Sequence, residues 1–118
     1  MSPLRFRAWH DGKMTSFDLK DYLTIQSFIN FEGELYRGLV VMQSTGLRDK
    51  NGREIFEGDV VKSNFGNAVV KWIENIAAFQ MELADSSTAP LGQWYRNAYE
   101  FEVIGNIYEN PDLLPQAA

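Results

Sequence analysis

Cysteine is absent from the 118-residue sequence, and this absence excludes several kinds of chemistry at once. Thiolate catalysis, disulfide bonds and cysteine-ligated zinc sites all need that side chain. Long apolar runs are absent as well, because no segment approaches the roughly 20 apolar residues that a membrane-spanning helix needs. The N-terminus also lacks the apolar stretch of a signal peptide. We therefore expect a soluble, intracellular protein without a membrane association.

Basic residues are the next scarce class. Eleven lysines and arginines stand against 16 aspartates and glutamates, which gives a formal net charge of −5. The isoelectric point of the sequence is about 4.8. Proteins that bind nucleic acid without regard to sequence usually carry a basic excess. The overall acidity therefore disfavours nucleic-acid binding, although a local basic patch remains compatible with it.

The remaining composition is that of a folded domain. Hydrophobic residues make up 45% of the chain and aromatic residues 14%, which is enough for a core and argues against disorder. A chain of this length is expected to form one domain. We predict a single domain over residues 1–118, with a less regular N-terminal part at about 1–41. The segment at about 42–110 contains a glycine-rich turn region and a β-meander.

Short segments of alternating apolar and polar residues, separated by glycine-containing turns, predict a mainly β fold. Residues 60–83 are predicted to form a meander of three antiparallel strands, and 99–108 a closing strand. Helical spacing of apolar residues predicts at most one short helix, near 18–30. The polar, proline-containing segment 84–93 is predicted to be a variable loop. We expect a small antiparallel barrel or sandwich with SH3-like elements, since closure hides strand edges.

The most informative segment lies between two apolar stretches, at residues 42–61. Asn51 and Gly52 both tolerate positive φ, as the central positions of a two-residue primed turn require, and the pair therefore predicts a hairpin or tight turn. Gly46 and Gly58 predict two further reversals, and the aspartate after Gly58 is expected to accept backbone N–H bonds. A structural role is assigned to the turn-forming residues of this segment: Gly46, Asp49, Asn51, Gly52, Glu57, Gly58 and Asp59.

Three blocks of sequence carry a likeness to one known family. The first is Phe6-Arg7-Ala8-Trp9, and the third is 102–111, which contains Gly105 and Asn106. The central block, 43–59, matches the pattern Gln-x-Thr-Gly-Leu-x-Asp-x-Asn-Gly-x-Glu-Ile-aromatic-Glu-Gly-Asp. In order and spacing the chain resembles the YopX-like proteins of bacteriophages and prophages. The resemblance implies a phage or prophage origin, a bacterial cytoplasm and a mainly β fold. It implies no biochemical activity and no catalytic residue.

Candidate catalytic groups are few. His10 is the only histidine, and it stands beside Asp11 at a turn, without a partner that the sequence can place. Ser86, Ser87 and Thr88 lack the strand–turn–helix context of a hydrolase nucleophile. The carboxylates of segment 42–61 offer oxygen ligands for a hard cation, but their spacing fits no calcium loop. These carboxylates belong to Asp49, Glu54, Glu57 and Asp59. We predict no enzymatic activity, cofactor or metal, and keep an unrecognised acidic active site as an alternative.

Two candidate binding surfaces follow from the sequence. On the first strand, Arg5, Arg7 and Trp9 share one face, an arrangement that suits phosphate contacts and base stacking. The competing interpretation, which we prefer, is that the arginines pair with glutamates of a neighbouring strand, Glu100 and Glu102 being the candidates.

The second candidate surface is the aromatic C-terminal third, which begins with Trp94 and Tyr95. Aromatic side chains dominate interface hot spots, although they also fill cores. The sequence therefore predicts a non-catalytic protein-interaction or self-assembling module. Its expected partner is a second copy of the chain, or a phage or host protein, and nucleic-acid binding through the first surface is the alternative.

Overall fold

The computed structural model describes residues 5–18, 20–29, 33–63, 66–84, 87–91 and 101–113. These residues form two antiparallel sheets and very little helix, so the prediction of a mainly β fold is confirmed. The strands are β1 Arg5–His10, β2 Lys13–Asp18, β3 Val40–Arg48, β4 Glu54–Phe56, β5 Asp59–Ser63, β6 Gly66–Ile73, β7 Ala78–Glu82, β8 Thr88–Pro90 and β9 Glu102–Asn106. One α-helix, α1, spans Tyr22–Gln26, and 3₁₀ turns span Glu74–Ile76 and Pro111–Leu113.

The strand order is β2-β1-β3-β4 in one sheet and β8-β7-β6-β5-β9 in the other. The chain divides into two compact units, Met1–Ser44 and Thr45–Ala118, and the division falls inside β3. We call them the first and the second unit. That the two units form a single domain over residues 1–118 stays a prediction.

The first unit is built on the β1–β2 hairpin. Asp11 and Gly12, with φ of 51° and 73°, form its two-residue turn. The buried core consists of Ala8, Phe17 and Phe28, and the ring centroids of the two phenylalanines lie 5.4 Å apart. Phe28 follows α1, a five-residue helix within the region where the sequence predicts a short one.

The prediction that β1 carries an exposed basic face is wrong at Arg7. Arg5 is exposed as expected, but Arg7 is only 5% exposed. In the strand register Arg7 lies between Ser16 of β2 and Met42 of β3, and Met42 is itself 2% exposed. Because β1 is an interior strand, the long apolar stem of Arg7 lies among neighbours on both sides. The alternation of apolar and charged residues identified the face of β1 on which Arg7 lies, but it did not predict that Arg7 is buried there.

The second unit contains the predicted meander, since β5 pairs with β6 and β6 with β7, each time antiparallel. β9 pairs with β5 on the other side, with a register shift between Val60 and Val61. The core residues are Ile55, Val61, Ala68, Val70, Met81, Ala89, Leu91, Phe101 and Val103. The prediction of a loop over 84–93 is wrong at β8, which pairs with β7. Ala89 and Leu91 enter the core there, and this burial explains the strand.

Closure into a barrel stays a prediction. In the larger sheet β8 and β9 are the two end strands, and in the smaller sheet β2 and β4 are. Among the strands that the structure describes, no pairing joins the ends of either sheet.

Gly105 provides a direct test of packing in the second unit. A Cβ atom at this position would lie 2.5 Å from Asn110 Oδ1 and 2.8 Å from Leu113 Cδ1. The same Asn110 oxygen accepts the Asn106 N–H at 3.2 Å, so it has little freedom to move. We expect Gly105→Ala to lower the free energy of unfolding by about 1–3 kcal/mol, the usual cost of overpacking. Urea denaturation checks this, and an unchanged midpoint would contradict the packing.

Candidate functional site

The turn between β3 and β4, at residues 49–53, is organised by Asp49. The Asp49 N–H donates to Arg53 O at 2.8 Å, and the Gly52 N–H donates to Asp49 O at 3.0 Å. Gly52 has φ +82°, whereas Asn51 is not among the described residues with positive φ. The tight turn is where the sequence predicts it, although its geometry is not that of a two-residue primed turn. The observed loop is longer, with a single left-handed glycine after the turn.

The Asp49 carboxylate is buried, with 8% of the residue exposed. Its Oδ1 accepts the N–H groups of Asn51 at 2.9 Å and Arg53 at 2.8 Å, and its Oδ2 accepts the Val103 N–H at 2.9 Å. Burial raises the pKa of Asp49, but these three bonds and the Arg53 charge outweigh it, so the pKa is lowered overall. The carboxylate is ionised and holds the backbone at two distant places.

A second aspartate organises the corner between β4 and β5. Asp59 is 1% exposed, and its Oδ2 accepts the Phe56 N–H at 2.8 Å across Glu57 and Gly58. Gly58 has φ +86°, and its N–H donates to Val70 O at 2.8 Å. The chain therefore reverses at Gly58, and Asp59 bonds to the backbone there in the way expected from the sequence.

Gly46 does not make the predicted reversal. It lies inside β3 with φ +80°. Beside it, Thr45 Oγ1 donates to Ile55 O at 2.7 Å and accepts the Leu47 N–H at 3.1 Å. A side chain that replaces backbone hydrogen bonds beside a left-handed glycine is typical of a β-bulge. The strand therefore continues through Gly46 and does not reverse there.

The carboxylates of this segment do not form a metal centre. Within the described ranges, no group of three or more potential ligands from His, Cys, Asp and Glu could hold a metal ion. His10 stacks on Tyr36 with ring centroids 5.7 Å apart, and its Nδ1 lies 3.7 Å from Asp11 Oδ2. The Asp11 side chain is 88% exposed, so the pair is not a buried base with its orienting acid. The absence of enzymatic activity stays a prediction.

The predicted binding residues fall into different environments. Arg5 stands opposite Asp18 in the sheet, and Trp9 is half-buried between Met14 and Val40. Arg7 is buried and therefore contributes no accessible charge. Candidate residues outside the part of the chain that the structure describes are Trp94, Tyr95 and Glu100.

The predicted pairing of the β1 arginines with Glu102 across neighbouring strands is wrong. β1 pairs with β2 and β3, whereas Glu102 belongs to β9, which pairs with β5. The Glu102 carboxylate instead lies 3.8 Å from Lys50 Nζ.

An exposed aromatic surface lies where β6 and β7 meet, and we call residues 72–79 the hairpin tip. Trp72 is 42% exposed and Ile76 56% exposed. Trp72 stands opposite Phe79 in the register, and their rings make an edge-to-face contact with centroids 5.0 Å apart. Glu74 and Asn75 are exposed in the connecting turn. The tip thus combines apolar side chains with a polar border.

The sequence did not single out the hairpin tip. Trp72 has the same parity as Ala68 and Val70, both fully buried, and alternation therefore predicts a core position. The strand continues past the core, so Trp72 lies beyond the core and close to the connecting turn. The one available signal is Ile76, an apolar residue between polar neighbours in the connecting turn.

Comparisons with known proteins give a consistent placement. The model of the family described as YopX protein matches residues 5–115. The crystal structure of protein EF1440 from Enterococcus faecalis is similar, with 28% identity, a TM-score of 0.63, and coverage of 94% of this chain and 97% of that one. The crystal structure of protein YopX from Bacillus subtilis has 18% identity, a TM-score of 0.54, and coverage of 97% and 98%. No significant match is found among curated proteins. Among the described residues, no helix is long and apolar enough to cross a bilayer.

The Asp49 bonds predict a large effect of a small substitution. Asp49→Asn removes the charge and places an NH₂ group where an oxygen now accepts a backbone N–H. We expect a loss of about 2–3 kcal/mol in the free energy of unfolding, because charge-assisted bonds are lost and a buried donor is left unsatisfied. Urea denaturation measures it. Asp112→Asn, at an exposed aspartate, is the matched control and should change little. Equal effects of the two substitutions would contradict the role of Asp49.

The lowered pKa of Asp49 also predicts a pH dependence. Its contribution is fully present above the unfolded-state pKa, about 4 for an aspartate, and is lost as the pH falls through the lower folded-state value. The stability gap between the wild type and Asp49→Asn should therefore be constant near neutral pH and shrink in acid. Urea denaturation over a pH series measures the gap. A gap that widens in acid would contradict the assignment.

Proposed function

The chain belongs to the YopX family, and from this membership we propose that it is a phage- or prophage-encoded accessory protein of the bacterial cytoplasm. It acts by binding protein chains, a second copy of itself included, and not by catalysis. The hairpin tip is its contact surface. The exposed Trp72, with Phe79 against its ring, is the observation that carries the proposal.

The chemistry of the tip suits a protein interface. Interfaces concentrate their binding energy in a few aromatic anchors, and tryptophan is among the most frequent of these. Trp72 and Ile76 are apolar and accessible, and the exposed Glu74 and Asn75 border them with polar groups. An apolar centre with a polar rim is the usual anatomy of a protein–protein interface.

The hairpin that carries the tip is held in a defined geometry. Five consecutive residue pairs join β6 and β7, from Val69↔Glu82 to Ile73↔Ala78. Lys71 Nζ lies 2.9 Å from Glu82 Oε1 and links the same two strands. Ala77 takes a left-handed conformation, φ 48°, at the end of the connecting turn. Such backbone strain in a non-glycine residue is often found at binding sites. A surface fixed before binding loses little conformational entropy on association.

The finer architecture of the second unit belongs to the same proposal. We take it as a small barrel with SH3-like elements. The support is that the Lys50 N–H donates to Phe101 O at 3.0 Å and Asp49 Oδ2 accepts the Val103 N–H. These bonds bring the β3–β4 turn to the end strand of the larger sheet, which is the contact that closure needs.

The proposal predicts association that depends on Trp72. Sedimentation velocity on the purified chain should show reversible self-association in the micromolar range. Alternatively, a partner identified by affinity capture should bind the purified chain with a measurable Kd. Trp72→Ser should weaken the association by about 2 kcal/mol or more, the size of a hot-spot contribution.

Leu23→Ser is the matched control, since Leu23 is 78% exposed but belongs to the first unit. It should leave association unchanged, and thermal unfolding should show that both variants are folded. A chain that stays monomeric and binds no partner would contradict the proposal. So would an association that tolerates Trp72→Ser.

A further inference from the structure

The turn that Asp49 organises carries an unusual concentration of positive charge. Arg48, Lys50 and Arg53 are all exposed, and we call these three the cationic turn. In the sequence of the second unit only Lys62, Lys71 and Arg96 are basic besides them, and that sequence is otherwise rich in acidic residues. Half of the unit's positive charge therefore lies on one six-residue segment.

The single acidic residue of the segment, Asp49, offsets only part of this charge. Asp49 is buried, and both of its oxygens are bonded to backbone N–H groups. Lys50 Nζ lies 3.8 Å from Glu102 Oε2, but both side chains are about 40% exposed, at 45% and 39%. An exposed pair of this kind is weak and easily exchanged for another partner.

The cationic turn is fixed before any ligand binds. Arg48 Nη1 donates to Gly52 O at 2.8 Å, across the turn. A guanidinium has five N–H donors, so this bond leaves others available to a ligand. Together with the Asp49 bonds, it places the three cationic side chains on a rigid backbone. A carboxylate can therefore bind them without ordering the loop first.

We propose that the cationic turn binds a short acidic segment of a partner protein. Its size favours carboxylates over nucleic acid. Duplex DNA carries a negative charge about every 1.7 Å and extends far beyond one turn. It would continue over neighbouring acidic groups, because Glu54 follows Arg53 directly and Glu102 lies beside Lys50. A protein segment with two or three carboxylates can end at the turn and need not continue over further acidic groups.

This inference goes beyond the hairpin tip and rests on different residues. A partner can bind the hairpin tip without contacting the cationic turn, and it can bind the cationic turn without contacting the hairpin tip. The two can therefore fail separately, and the experiment includes a variant of each.

The test uses a labelled synthetic peptide with three aspartates spaced by glycine and serine, and a matched peptide with asparagines in their place. Fluorescence anisotropy with the full chain at low salt should show binding of the acidic peptide only. Lys50→Gln with Arg53→Gln should weaken it about tenfold, since two of the three charges of the turn are removed. Salt should weaken it too, by screening.

Lys62→Gln with Lys13→Gln is the control of equal charge change at exposed lysines elsewhere, and it should leave the affinity within about twofold of the wild type. Trp72→Ser should not change the affinity either. The inference is overturned if the acidic peptide does not bind, if the asparagine peptide binds equally, or if both double variants weaken binding to the same extent. Tighter binding of a single-stranded oligonucleotide would overturn it in favour of nucleic acid. Self-association that Lys50→Gln with Arg53→Gln abolishes would overturn it in favour of a second copy.

Discussion

A buried carboxylate, that of Asp49, joins parts of the second unit that are far apart in sequence. It bonds within its own turn and to the N–H of Val103, 54 residues away. Burying a charge is costly unless hydrogen bonds replace its hydration, and here three backbone donors do so. In return the Asp49 carboxylate accepts a hydrogen bond from β9. Because β9 is the last strand of its sheet, the backbone groups on its outer side would otherwise lack a partner. The β3–β4 hairpin and β9 therefore depend on each other.

The same device recurs where the chain enters β5 and where it leaves β9. Asp59 bonds to the N–H of Phe56, and Asn106 Oδ1 accepts the N–H groups of Tyr108 and Glu109 at 3.0 and 2.8 Å. Both residues are almost fully buried, at 1% and 3% exposure. Short polar side chains thus take the place of a neighbouring strand at these reversals. This supports a structural role for the shared sequence blocks, because their polar members bond to backbone.

Local patterns predicted what local physics decides. Alternation located β6 and β7, and the Asn-Gly pair located a reversal, because both depend on neighbouring residues. Within that turn Asp49 Oδ1 accepts the N–H groups of Asn51 and Arg53. Its other oxygen accepts the Val103 N–H, a long-range bond that no local pattern contains. The burial of Arg7 was mispredicted for the same reason, because alternation assigned Arg7 to the outer face, while the extent of the sheet on each side decided its exposure. The strand at Thr88–Pro90 was missed because its pairing with β7 outweighs its loop-like composition.

The two surfaces proposed for the second unit differ in what they contribute to binding. An apolar anchor such as Trp72 supplies affinity that is largely non-directional. A fixed cationic group mainly selects partners and speeds encounter, and it rejects like-charged surfaces. On a chain with a net charge of −5, a small positive turn distinguishes acidic partners from the many basic ones that the rest of the surface attracts. The Asp49 carboxylate orders the backbone of this turn, and it is itself buried. The same residue therefore stabilises the fold and leaves the basic side chains of the turn as its exposed charges.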